Sequence, residues 1–176
     1  MIKLKTLLPE FKVLSAFDFD DTLAKSDHWI FVNHANGKTS KLDPAEFAVY
    51  VEKPGDVFDF TDFSKMLRNP KTIKQNAKLL KKQLEKASKT SARKVVILTA
   101  RAVGYPIRHF LKTLGMNVEV IAVGDANPQK KADWIEGQIL KGYDTIYFMD
   151  DSMKNVKAIQ NLETKYPNVT IKAKKV

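Results

Sequence analysis

The 176-residue chain contains no cysteine. Disulfides, thiolate metal ligands and thiol nucleophiles are therefore excluded, and a cytoplasmic protein is expected. Long hydrophobic runs are missing too. The apolar run Val13–Phe17 is far shorter than the ~20 residues of a membrane-spanning helix, and residues 1–12 alternate charge with short apolar pairs. Neither a signal-type stretch nor membrane association is expected. Glycine and proline are scarce, at seven each, with no low-complexity linker and no internal repeat, so a single domain over residues 1–176 is expected. Acidic side chains are in deficit, 20 against 30 basic, giving a formal net charge of +10. Such a field draws in polyanions over a Debye length. The hydrophobic fraction of 44% excludes a disordered chain and suffices for a real core.

What is present is an alternation of two periodicities. Short β-branched runs predict strands at about 13–18, 94–99, 118–123, 145–149 and 168–173. Helical spacing predicts helices at about 71–90, 104–115, 129–141 and 153–165. Gly115 and Gly142 stand where helix ends need a left-handed residue. Strands separated by helices predict an α/β fold: a single Rossmann-like, three-layer domain with a central parallel sheet.

The richest stretch is Val13-Leu14-Ser15-Ala16-Phe17-Asp18-Phe19-Asp20-Asp21-Thr22. An apolar run ends in carboxylates two residues apart, then a hydroxyl. Charge beside a core strand is costly to desolvate without a partner, and a hard cation such as Mg²⁺ is suited to carboxylate oxygens. A calcium loop is excluded by spacing, because the sixth position from Asp18 is Leu23 and the twelfth is Trp29. Three further fragments follow. Val95–Leu98 runs into Thr99 and Arg101, Lys130 and Lys131 open a predicted helix, and Thr145–Met149 ends in Asp150 and Asp151. The strand-borne groups lie just past the carboxyl ends of their strands, which converge on one crevice in an open parallel sheet. Asp150, Asp151 or Ser152 also suits the N-cap of the helix that follows.

With these motifs the chain resembles the haloacid dehalogenase superfamily of Mg²⁺-dependent phosphohydrolases over roughly residues 13–165. The D-x-D-x-T motif matches Asp18, Asp20 and Thr22; the strand-closing hydroxyl matches Thr99. The lysine matches Lys131 or Lys130, with Lys131 preferred because Ala132, Trp134 and Ile135 continue a helix from it. The acidic pair matches Asp150 and Asp151. Thr99-Ala100-Arg101 is similar to the phosphatase domain of polynucleotide kinase-phosphatases. Gly37, Leu42–Phe47 and Phe58–Phe60 look like small capless members typical of bacteriophages.

The resemblance implies a phosphatase acting through an aspartyl-phosphate. Asp18 would be the nucleophile, and Asp20 would protonate the leaving oxygen and then activate water. Asp18, Asp150 and the backbone carbonyl of Asp20 would hold Mg²⁺, with Asp151 ligating it or holding a metal-bound water. Thr99 and Lys131 would grip the phosphoryl group, with a bidentate contact from Arg101. The expected substrate is a phosphorylated molecule, a nucleotide or a nucleic-acid phosphate end. The alternatives are a catalytically inactive basic nucleic-acid-binding module and a phosphotransferase.

Residues 24–65 form the one sizeable insertion, while Gly124–Lys130 is too short for a cap. Trp29–Val32 and Phe47–Val51 predict a small hairpin or flap with a turn at Asn36-Gly37, and no full cap domain. His28 and His34 lack a second ligand set at metal spacing and read as polar surface residues. Over residues 71–94, eight lysines and Arg93 face only Glu85. Ile73, Ala77, Leu80, Leu84 and Ala87 give that helix an apolar face, so its lysines cover the other side.

Overall fold

A computed structural model describes residues 11–176; the charge-alternating segment at residues 1–10 lies outside them. The elements run in order β1 (Val13–Phe17), β2 (Ala24–Lys25), β3 (Ile30–Asn33), β4 (Thr39–Leu42), α1 (Pro44–Val49), β5 (Val57–Asp59), a 3₁₀ turn (Thr61–Ser64) and β6 (Lys71–Thr72). There follow α2 (Lys74–Ala87), β7 (Arg93–Thr99), α3 (Tyr105–Thr113), β8 (Glu119–Ala122), α4 (Pro128–Ile139), β9 (Thr145–Asp150), α5 (Met153–Gln160), α6 (Leu162–Lys165) and β10 (Thr170–Lys175).

The five predicted strands form one parallel sheet in the order β10-β9-β1-β7-β8. Strands covered on both faces read as near-continuous apolar runs, and all five residues of β1 are buried. Side chains alternate between two cores. Leu14, Ala16, Val96, Leu98, Ile146 and Phe148 pack with Ala132, Ile135, Val156 and Ile159 of α4 and α5. Phe17, Val95 and Ile97 pack with Leu80 of α2 and Ile107 and Leu111 of α3 on the opposite face. The result is a mixed α/β architecture with a parallel sheet between helical layers. From β1 the chain builds outward through β7 and β8, then returns to place β9 on the other flank of β1. The carboxyl ends of β1 and β9 therefore meet at a topological switch point, where ligands bind in open α/β sheets.

Three boundaries differ from expectation. Residues 71–72, placed in a helix by periodicity, form β6, which pairs antiparallel with β2 (Ala24↔Thr72, Lys25↔Lys71). This two-residue ladder ties off the insertion at its base. The helix predicted over 153–165 is divided at Asn161 into α5 and α6. Phe47–Val51, read as a strand, falls largely in α1. The cause is a capping box: Asp43 accepts from the backbone N–H of Glu46, whose carboxylate accepts from the N–H of Asp43, and Pro44 opens the helix. The true partners of β3 are β4, across the Asn36-Gly37 turn, and β5; Gly37 has φ +77°, as that turn requires. Gly115 and Gly142 also take positive φ, at 71° and 91°.

A second aromatic cluster holds the insertion together. Phe47 meets Phe58 and Phe60 edge-on at 5.3 and 5.4 Å between ring centroids. His34 joins Ser40 Oγ at 2.9 Å and Asp56 Oδ1 at 2.7 Å. Asp56 also accepts from the Lys53 N–H and the Tyr50 hydroxyl. No helix among the described residues is long and apolar enough to cross a membrane.

Leu80 is fully buried against the turn that leaves β1, where Phe19, Leu23 and Ala24 also pack. Leu80→Ala is expected to cost about 2–5 kcal/mol in urea unfolding. Lys81→Ala, on the exposed face one residue on, is expected to stay within about 0.5 kcal/mol.

Candidate active site

Alternation along β1 carries through its carboxyl end. Leu14 and Ala16 face α4 and α5, and Asp18, the next residue of that parity, reaches the first turn of α4. Along β9 the same parity runs Ile146, Phe148, Asp150. The α4 face that buries Ala132, Ile135 and Ile139 also carries Lys131. Its ammonium donates to Asp18 Oδ1 at 2.6 Å and Asp150 Oδ2 at 2.8 Å. Asp18, Lys131 and Asp150 are 5%, 2% and 0% exposed, so this is a closed ionic core. Lys130 lies on the exposed side of the helix, so Lys131 is the one that meets the two carboxylates.

Neighbouring groups hold these carboxylates in place. Ser152, rather than either aspartate, caps α5 by accepting from the Asn155 N–H. Asp150 is thereby left to accept from the Asn155 side-chain amide at 3.0 Å on each oxygen and from the Ser152 N–H at 2.8 Å. Thr22 Oγ1 accepts from the Asp151 N–H at 3.0 Å, and the Thr22 carbonyl accepts from Asn76 at 2.8 Å. The turn between them is tight: Leu23 and Ala24 both donate to the Phe19 carbonyl, and Asp21 takes φ +54°, which aspartate tolerates better than most residues. Sequence reading marked Thr22 through its motif but missed Asn76 and Asn155. The one available signal for Asn155 was its position one turn inside the helix that follows Asp150.

Asp20 has a different partner. Arg101 donates from Nε to Asp20 Oδ2 at 2.8 Å and from Nη2 to Oδ1 at 2.6 Å. The expected two-pronged contact of Arg101 is thus made to a carboxylate of the site itself. Arg101 also donates to the Phe63 carbonyl at 3.0 Å and lies over the Phe63 ring, 4.7 Å from its centroid. Its backbone N–H donates to Thr99 Oγ1 at 3.2 Å. His28, read as a surface residue, is 1% exposed. It sits beneath the guanidinium, bonded to Ser26 Oγ and facing the Met66 carbonyl. Burial and the charge of Arg101 push its pKa down.

The electrostatics of the cluster are one-sided. Burial pushes the Asp18 carboxyl well above the ordinary range; Lys131 pulls it back, while Asp150 and Asp20 push further. Burial works against the charge on Lys131, yet Asp18 and Asp150 outweigh it and hold the pKa above its usual value. Asp151 is pushed up to about 6 by burial, then by Asp150 and Asp21. Oxygens of Asp18, Asp150 and Asp151 lie within 4.8 Å of one another. Three carboxyl groups gather around the one ammonium of Lys131, a surplus of acidic groups, because Arg101 is committed to Asp20. Hard oxygen donors with that surplus fit a divalent cation such as Mg²⁺.

Comparison with models of known families, with curated proteins and with solved structures finds no significant match.

Removing the ammonium leaves buried carboxylates unpaired, so Lys131→Met is expected to cost about 3–5 kcal/mol at neutral pH. A carboxyl with a raised folded pKa binds its proton more readily folded than unfolded. The deficit should therefore shrink as pH falls toward 4, the ordinary carboxylate range, and grow as pH rises. Urea melts of both proteins at several pH values measure this.

Proposed function

We propose that the chain is a Mg²⁺-dependent phosphomonoesterase of the haloacid dehalogenase type that works through an aspartyl-phosphate. The observation that carries this reading is the buried bridge from Lys131 to both Asp18 and Asp150, with Asp151 beside them, at the junction of β1 and β9. Structural ion pairs seldom gather a surplus of buried anions; sites that act on phosphate do so to recruit a cation.

In this reading an Asp18 oxygen attacks phosphorus, the bond to the leaving oxygen breaks, and Asp20 gives that oxygen a proton. Asp20 then takes a proton from the water that cleaves the acyl-phosphate, releasing phosphate and restoring Asp18. The pair with Arg101 uses one lone pair on each Asp20 oxygen and leaves another for that work. It also fixes the direction in which the carboxyl points. Lys131 lowers the repulsion between an anionic nucleophile and an anionic substrate, and Thr99 adds a donor at the same sheet end. Asp18, Asp150 and Asp151, with the Asp20 carbonyl, would hold Mg²⁺, which supplies charge neutralisation at the phosphoryl oxygens when bound. We read the β3–β5 segment with α1 as a flap beside an open site without a full cap, as in small capless members of the superfamily. Exposed lysines along α2, with the net charge of +10, favour nucleotides or nucleic-acid phosphate ends as substrates.

Asp18→Asn is expected to lower kcat for an aryl phosphate by at least about 10³-fold with the circular-dichroism spectrum retained. Equal turnover by that variant would refute the nucleophile assignment. Mg²⁺ at ten times its Kd adds about 1.4 kcal/mol of stability. The expected rise in Tm is about 3–6 °C, and it should vanish in Asp150→Asn; an unchanged shift there would remove Asp150 from the metal site.

A further inference from the structure

Beside Asp20 and Arg101 opens a cavity of about 660 Å³. Its outer wall comes from the insertion, with Pro44, Phe47, Phe60 and Phe63. Its inner wall comes from the carboxyl ends of β7 and β8, where Ala100, Ala102 and Ala126 present little bulk. We infer that this cavity is the leaving-group site and holds a single unpaired nucleobase, stacked among the phenylalanines.

The inference rests on the phosphomonoesterase reading in one respect: Asp20 delivers its proton to the leaving oxygen. Whatever carries that oxygen must then stand beside Asp20 and extend into the adjoining space, and the adjoining space is this cavity. Its walls choose the chemistry. Aromatic rings on one side and small side chains on the other leave a slot suited to a flat π-system. A sugar alone, or a branched polyol, would leave the rings without a partner and bring hydroxyls against apolar surface. The rings are fixed before anything binds. Phe47 and Phe60 meet nearly perpendicular at 85°, and Phe63 is held by its carbonyl bond from Arg101 and by the guanidinium over its ring. Phe60 is 41% exposed, a large apolar ring left open at the mouth. Thr61, Ser64 and Asp125 on the rim offer polar atoms to a base edge. The volume suits one nucleotide. The overall positive charge of the chain suits a phosphorylated ligand of this kind.

The test separates the site from the chemistry. Thymidine and adenosine, which carry no phosphate, are titrated into the full chain and followed by saturation-transfer NMR. Binding is expected, with ring protons saturated most strongly, and is expected to weaken about 5- to 150-fold in Phe60→Ala. Phe60→Leu, which keeps apolar volume without the ring and guards against a misfolded alanine variant, is expected to lose most of the same affinity. Full affinity in both variants, or no nucleoside binding by the parent chain, overturns the inference whatever the catalytic result. In parallel, kcat/KM with Mg²⁺ is compared for thymidine 5′- and 3′-monophosphates and glycerol 2-phosphate. The ratio of nucleotide to glycerol ester is expected to exceed ten in the parent and to fall at least fivefold in Phe60→Ala. A ratio near one in an active parent overturns the inference and leaves the phosphomonoesterase reading standing. Nucleoside binding without hydrolysis of any ester sinks that reading and leaves the base site standing. Phosphorylated single-stranded dinucleotides and blunt duplex ends distinguish the source of the base. The single strand is expected to be preferred at least tenfold, and equal use of the duplex contradicts an unpaired base.

Discussion

The buried ammonium of Lys131 governs this molecule. It stands between two carboxylates at the ends of neighbouring strands that lie far apart in sequence, 2.6 Å from one and 2.8 Å from the other, with almost no water to share the charge. Burying any of the three alone would be prohibitive; together they are tolerable, with Asp151 a further carboxylate beside them. The hydrogen bonds from Asn155 and Ser152 to Asp150, and from the Asp151 N–H to Thr22 Oγ1, serve the same end. Those to Asp150 occupy its lone pairs and limit its rotamers, and the Thr22 bond fixes the backbone that carries Asp151.

Arg101 performs the complementary task at the other side of Asp18. It reaches from the end of β7 to Asp20, to a backbone carbonyl of the insertion and toward the Ser26–His28 pair. A single guanidinium thereby couples the sheet to the segment that covers it. The insertion is otherwise joined to the sheet domain at its base by the short ladder of β2 with β6 and by the fork of Arg68 onto Asp62 and the Asp27 carbonyl. Arg101 thus connects the position of a carboxyl to the position of an aromatic wall.

Much of this was legible in the residues. Apolar runs that end abruptly in aspartate mark strands whose tips meet, and α4 could be phased well enough from Ala132, Trp134 and Ile135 to prefer Lys131 over Lys130. The Asp20–Arg101 pair was not legible. Arginine after a strand suits phosphate and carboxylate equally, and 81 residues separate the two groups, so only the fold could choose. The burial of His28 escaped for a related reason: its cover comes from Phe63 and Met66, far along the chain. The error at Phe47 had another origin. Asp43-Pro44-Ala45-Glu46 is a helix-start signature that outweighs the strand-like apolar run following it. The aromatic cavity draws its walls from several segments, none distinctive alone.

β10 ends the sheet, its outer backbone edge without a neighbouring strand among the described residues, and Lys172, Lys174 and Lys175 stand exposed along it. An unpaired strand edge is a template for joining another molecule, and closely spaced ammonium groups make that union repulsive. Along this edge the charges of Lys172, Lys174 and Lys175 oppose the edge-to-edge approach of a second copy.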